Sequence, residues 1–494
     1  MFSFVLRALL LVAVLGGLAA FVFGGIRVLA DPEDLRAFYC AGKAVVSHRD
    51  PYLAEPLRTC EVRESRAAGL TPYNLLAVPA PLPGFAFVPF AALALLPFGA
   101  ASSLFVLLVI GALVATGAFV REFCAPDAGR APRWALVVVI GASLACSDGL
   151  TSVANGQIVP FAILALCASG FALKRGRYGW AAAFVALASI EPHVALPVWI
   201  ALAFMVPQTR RPLAICAAAL VAASIVTLGP AVNLEYLTAV LPAHAASEAS
   251  ASGQYSLATL LVRCGIAIAP ALAVANVWFV ALCALGIFTA QRLARKLDAP
   301  ELAALVPPAF AVFGGPFVHL TQLAVAIPAI LVLGSRLPRY RVAFAVALLL
   351  LALPWQDLAE NPAPAVLGAI ALVALPIALW FWRLRPVPAL EVVTAMLALG
   401  ALELQARALF ARAPADATHS IALVAGDGRL AEETWTAFMS VAQDADMRWY
   451  LVSHIPTWAG LAIALAAMLR ATRGVSNSAR VRAWGPSGRT PPRF

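Results

Sequence analysis

Apolar runs recur along this chain from residue 4 to residue 471, and they constrain its fold more than any other feature. Of its 494 residues, 62% are hydrophobic and 12% charged, more apolar surface than a water-soluble domain uses. The chain reads as an all-α polytopic membrane protein with about 12–14 membrane helices and further helices in its external loops. The spans are expected at 4–30, 86–120, 134–147, 158–173, 179–190, 193–206, 213–228, 257–290, 301–315, 320–334, 342–354, 363–382, 388–405 and 456–471. No small-residue cleavage site precedes Asp31, so 4–30 reads as an uncleaved first span rather than a signal peptide. Several runs are too short to cross alone, which points to broken or half-spanning helices. The 86–120 run is too long: as one helix it would measure about 52 Å. Pro89, Pro97 and Gly99 are expected to break it into an interfacial piece and a true span.

The formal charge of +10 is a topology signal, not the footprint of nucleic acid. Arg121, Arg130, Arg133, Lys174, Arg175, Arg177, Arg210, Arg211, Arg292, Arg295, Lys296, Arg336, Arg339, Arg341, Arg383 and Arg385 fall on one side of the expected spans. The intervening loops near 148–157, 191–192, 229–256, 314–319 and 355–362 carry no Lys or Arg. Both termini are therefore expected in the cytoplasm, with loops 31–85 and 406–455 outside. Residues 1–335 are read as a core, 336–473 as additional membrane helices, and 474–494 as a disordered basic tail. Cys40 and Cys60 share the first external loop and are the candidate disulfide pair.

On this topology all six histidines, His48, His193, His244, His319, His419 and His454, lie at the external face. Asp31, Glu33, Asp34, Asp148, Glu191, Glu235 and Glu248 lie there too, which points to a site on that side, partly within the membrane. External loops that are simply longer would also collect polar residues. In "DLRAFYC" (34–40), Asp34 is either a functional carboxylate or a helix cap, and Asp31 reads as a cap. Phe38 and Tyr39 line a site or anchor the chain at the interface. "SVANGQIVP" places Asn155 and Gln157 in a polar turn, and "SIEPHVALP" places Glu191 beside His193 at a proline-broken hairpin. "SGQYSLATLLVR" puts Gln254 at a junction and Arg263 about two turns into an apolar helix. "FGGPFVHLTQL" sets His319 at another break. Metal-ligand spacings, a P-loop, GxGxxG and GxSxG are all missing, so neither a metal nor a nucleotide cofactor is expected.

Five segments in order resemble the bacterial glycosyltransferase family 87, membrane proteins of the GT-C class. They are "DLRAFYCAGKAV" with "DPYL", "FAFVPFAALALLPFG", "NGQIVPFAILALCASGFALKRGRYGWAAAFVALASIEPH", "QYSLATLLVR" and "GGPFVHLTQL". The similarity covers most of residues 1–335. The chain departs from it at Glu191, where the family often has Lys before Pro192, and at Leu320 and Gln322, where some relatives carry acids.

The resemblance implies a GT-C-like helix bundle in a bacterial inner membrane. It implies inverting transfer of a mannose-like hexose from a polyprenyl-phosphate sugar to a lipid or glycan acceptor at the periplasmic face. Asp34 would be the general base. Arg263, His319 and His193 would bind the donor phosphate. Phe38, Tyr39, Asn155, Gln157, Glu191 and Gln254 would contact substrate. A flippase for lipid-linked sugars and a non-enzymatic scaffold are the other classes that fit rim acids and broken helices.

Overall fold

The computed structural model describes residues 32–67, 77–124, 152, 155–251, 253–352, 355, 429–442 and 447–473. The spans expected at 4–30, 134–147, 363–382 and 388–405, the tail 474–494, Asp31 and His419 lie outside the described residues.

Among the described residues the protein is helical and forms no named strand. Two helices form the segment after the first apolar run: α1 (Glu33–Val46) and α2 (Ala54–Ala67). Cys40 of α1 and Cys60 of α2 are joined by a disulfide, with Cα atoms 5.6 Å apart. α3 (Phe87–Leu93) and α4 (Phe98–Phe123) follow, split at Pro97. A proline there cannot donate to the ladder, and the 86–120 run breaks into a short piece and a spanning piece.

Next come α5 (Val159–Lys174), α6 (Tyr178–Ala188), α7 (Pro192–Met205) and α8 (Arg210–Glu235). α8 bends at Gly229, which has φ 76°, and continues through a π turn at Tyr236–Val240 into α9 (Leu241–Ser250). The run expected as one span at 257–290 is two helices, α10 (Leu257–Arg263) and α11 (Ile268–Leu297). Gly265, at φ 89°, turns the chain between them. The rest are α12 (Leu302–Ala311), α13 (Leu320–Leu323), α14 (Ile327–Arg336), α15 (Arg341–Ala352), α16 (Ala431–Ala442) and α17 (Met447–Thr472).

Four helical stretches among these residues are long and apolar enough to cross a bilayer: Phe98–Phe123, Pro207–Ser250, Ile268–Leu297 and Ser453–Thr472. The pair Leu320–Arg336 and Pro338–Ala352 makes a fifth if taken together across its 119° bend. α5, α6, α7 and α12 are apolar but short of the roughly 20 residues a crossing needs. These helices match the expectation that several of the runs are too short to cross alone. Gly176, at φ 68°, follows the end of α5, Pro192 opens α7, and Pro307 and Pro308 lie inside α12.

The main core packs α5, α6, α7, α11, α12, α14, α15 and α17 around Phe310, Phe344 and Trp355. A second cluster joins α1, α3 and α4 through Phe38, Phe87, Phe90 and Phe105. Buried Glu301, before α12, meets the Arg336 guanidinium at 2.6 Å. The C-terminal α16 is tied to the first loop by backbone: Ala54 N donates to Arg429 O at 3.0 Å and Ala431 N to Tyr52 O at 2.9 Å.

Candidate active site

The ends of α1, α7, α9, α13 and α16 and the 155–158 turn bring a set of polar side chains together. Asp34 lies in the first turn of α1, whose N-cap is Pro32. Its carboxylate accepts a hydrogen bond from the Gln157 amide, so it is not the helix cap. A negative charge in the first turn also sits well with the helix dipole. Gly156 permits the approach. It has φ 78°, and a Cβ there would stand 2.3 Å from Leu35 Cβ. Burial is the largest influence on Asp34 and, with Glu33 adding to it, pushes its pKa up to about 7 against the opposing Gln157 bond. Asn155 is exposed in the same turn.

On another side of this polar cluster, Glu191 is buried at the N-terminus of α7. Its Oε2 accepts from Gln322 Nε2 at 3.1 Å and lies 3.8 Å from His193 Nδ1. The His193 ring packs edge-on to Phe317, and so does His244 of α9 from its own side. Glu248, one turn after His244, accepts from Gln254 Nε2 at 2.5 Å and lies 3.8 Å from His319 Nε2. Gln254 is the hub of this side. Its Oε1 accepts from Val318 N at 2.8 Å, and its Nε2 is 2.8 Å from His319 Nδ1. Glu248 is also an electrostatic neighbour of Asp34, which links the two halves of the cleft.

Arg263 ends α10 rather than lying inside an apolar helix, because that helix stops at Gly265. Its guanidinium reaches Ser250 O at 3.4 Å and lies over the Tyr450 ring, 5.7 Å from the centroid. Tyr450 in turn donates to Gln254 O at 3.1 Å. Phe38 and Tyr39 are buried in packing and do not line the cleft. Phe38 meets Phe90, while Tyr39 meets Phe98 and donates to Leu96 O at 2.8 Å. His48 lies exposed at the end of α1, and His454 stacks between Tyr255 and Tyr450.

Sequence reasoning gave no role to His244, Glu248 or Glu432. The His-x-x-x-Glu spacing at 244–248 was a usable signal, since residues four apart share a helix face. Nothing local marked Glu432. It arrives from α16, almost fully buried, with Oε2 3.3 Å from His244 Nδ1. Burial holds its carboxyl above the usual range, with His244 opposing. His244, Glu248 and His319 each bring one donor atom within 4.8 Å of the others, a spacing a metal ion could bridge.

Residues 82–314 match the family model of glycosyltransferase family 87. This stretch, just under half of the chain, is similar to that family. It carries the 155–157 turn, Glu191, His193, His244, Glu248, Gln254 and Arg263, while Asp34, His319 and Glu432 reach the cleft from outside it. No curated protein and no solved structure matches the chain. The match supports a membrane glycosyltransferase, and the apolar helices suggest a multi-pass membrane protein.

Proposed function

We propose that this protein transfers a mannose-like hexose from a polyprenyl-phosphate sugar to a lipid or glycan acceptor on the external face of a bacterial inner membrane. The observation that carries the reading is Asp34: a carboxylate oriented by Gln157, raised toward neutrality, at the start of an extramembrane helix. A base with a pKa near the working pH is the most effective proton acceptor.

In the proposed reaction the acceptor oxygen attacks the anomeric carbon and Asp34 takes its proton. The bond from that carbon to the phosphate oxygen breaks, and the lipid phosphate leaves with the electron pair. One displacement inverts the anomeric centre. The developing phosphate charge needs donors rather than a general acid. Arg263 offers a guanidinium that can grip phosphate oxygens bidentately. His319 is partly exposed at its loop, and His193 has its Nε2 free of any protein partner among the described residues. Asn155, Gln157, Glu191 and Gln254 supply polar contacts for the sugar. No step draws on a dissociable cofactor.

The test is transfer in proteoliposomes given labelled polyprenyl-phosphate mannose, glucose or arabinose and membrane lipid extract. A new labelled product with wild type and none with Asp34→Asn supports the reading. Label that crosses the bilayer without a product supports a flippase. Equal product from both proteins removes Asp34 as the base.

A further inference from the structure

We propose that Phe317 is the platform on which the donor's sugar rests, an aromatic subsite for the apolar face of a hexose ring. The inference rests on the reading of this site as that of a lipid-linked sugar transferase, and it names the residue that meets the sugar itself.

Phe38 and Tyr39 are the aromatics expected to line a sugar site, and both are buried in packing. Tyr255 and Tyr450, beside Gln254 and Arg263, are buried too. Phe317 differs from all four: it keeps part of its surface open among the polar groups.

The Phe317 ring lies between histidines from two helices. His193 of α7 stands 5.0 Å from it, centroid to centroid, and His244 of α9 stands 5.4 Å from it, at interplanar angles of 63° and 72°. Each imidazole has a carboxylate behind it. Glu191 Oε2 lies 3.8 Å from His193 Nδ1, and Glu432 Oε2 lies 3.3 Å from His244 Nδ1. An apolar ring is thus framed by polar groups. A hexose has the complementary make-up, with C–H bonds on its faces and hydroxyls around its edge. The weakly positive C–H bonds suit the negative face of an aromatic ring, and the hydroxyls suit the polar frame.

The 312–319 loop holds Phe317 in place from both sides. Trp278 Nε1 donates to Phe313 O at 3.0 Å, and Gly314, at φ 92°, makes the turn that follows. Beyond Phe317, Tyr255 N donates to Val318 O at 2.7 Å and Val318 N donates to Gln254 Oε1 at 2.8 Å. A ring fixed in advance binds without the cost of ordering it.

The position also suits the reaction. His193 touches the ring and His319 follows two residues later, and both are proposed to bind the donor phosphate. A sugar on Phe317 would bring its phosphate-bearing carbon toward them. The transition state of glycosyl transfer has oxocarbenium character, and an aromatic face stabilises positive charge. A leucine would fill the space between the histidines as packing, but it has no such face.

The test is equilibrium binding by the full-length chain in nanodiscs, with polyprenyl-phosphate mannose and sugar-free polyprenyl phosphate as the two probes. Wild type should bind the sugar-bearing lipid more tightly. Phe317→Leu should weaken that binding roughly 5–30-fold and leave the sugar-free lipid unaffected, and Phe317→Tyr should restore most of the loss. Thermal melting checks that each variant is folded, and Phe317→Met serves as a second apolar variant. Equal binding of both lipids by wild type, a loss in Phe317→Leu that falls on both lipids alike, or no loss at all overturns the subsite. Binding is read without turnover, so the two readings fail separately. Wild type that makes product while Phe317→Leu binds the donor normally removes the subsite alone. Wild type that makes no product while Phe317 still selects the sugar-bearing lipid removes the transfer reaction alone.

Discussion

Glu191 Oε2 and Gln322 Nε2 form a 3.1 Å hydrogen bond between the start of α7 and α13, inside the buried part of the cleft. These are two positions at which the sequence departs from the family it resembles, where a Lys often precedes the proline and some relatives carry acids near 320–322. The structure brings the two positions together, with the Glu191 carboxylate accepting from the Gln322 amide. Glu191→Lys alone should destabilise the protein, because a buried ammonium would meet an amide. Glu191→Lys with Gln322→Glu should recover part of the loss. A double-mutant cycle on thermal stability should give a coupling of roughly 0.5–3 kcal/mol, and additive effects would show the pair to be independent.

Asp34→Asn keeps the side-chain shape and an oxygen for Gln157 but removes the base. The rate of transfer should fall roughly 10²–10⁴-fold while the melting temperature holds or rises. Initial rates in proteoliposomes and a thermal melt of the same preparation check both halves.

The raised Asp34 carboxyl sets a pH profile. Proton abstraction needs the charged form, so kcat/KM should rise with pH and level off above about 7. Below that it should fall about tenfold per pH unit. Gln157 favours the charged form, so Gln157→Leu should move the midpoint upward. The same shift acts on stability with the opposite benefit. The folded pKa lies above the unfolded one, so this group's contribution is full below the usual carboxylate range and is lost as pH rises through about 7. A pH–rate series with wild type and Gln157→Leu reads the first effect, and melts of wild type against Asp34→Asn read the second.

Gly156→Ala should be harmful out of proportion to its size. The position requires a positive φ, and the added methyl would collide with Leu35 on α1. The turn would move away from α1, separating Gln157 from Asp34. We expect a lowered kcat, a shifted pH midpoint and a loss of roughly 1–3 kcal/mol. Ser at this position should behave like Ala.

Cys40→Ser with Cys60→Ser removes the clasp between α1 and α2, which are 20 residues apart at the crosslink. Loops of this length are stabilised by roughly 2–4 kcal/mol. The variant should melt earlier and transfer more slowly, since α1 carries Asp34. Proteolysis in the 31–85 loop under reducing and non-reducing conditions gives the same comparison in wild type.

Much of this was legible in the sequence, for reasons that differ from residue to residue. The break at Pro97 followed from a missing donor, and the polar character of the 155–157 turn followed from its Asn-Gly pair. The position of Arg263 was misjudged because hydropathy does not register Gly265, whose positive φ ends the helix. Phe38 and Tyr39 looked like interface or site aromatics, since an i to i+1 aromatic pair says nothing of which neighbour will cover it. Their partners, Phe90 and Phe98, lie about 50 to 60 residues further along. Glu432 was out of reach altogether. Its environment is made by α9, nearly two hundred residues earlier, and local patterning carries no trace of a contact at that separation.

The backbone stitch between Leu53 and Leu430, with Ala54 on Arg429 and Ala431 on Tyr52, has a temporal meaning. A ribosome making this chain delivers Asp34 about four hundred residues before Glu432. Until then α1 and α2 wait with one edge uncovered, and His244 waits without its carboxylate. The site is thus completed by a late segment, so a nascent protein halted before residue 429 holds most of the membrane helices described here but lacks the Glu432 carboxylate beside His244.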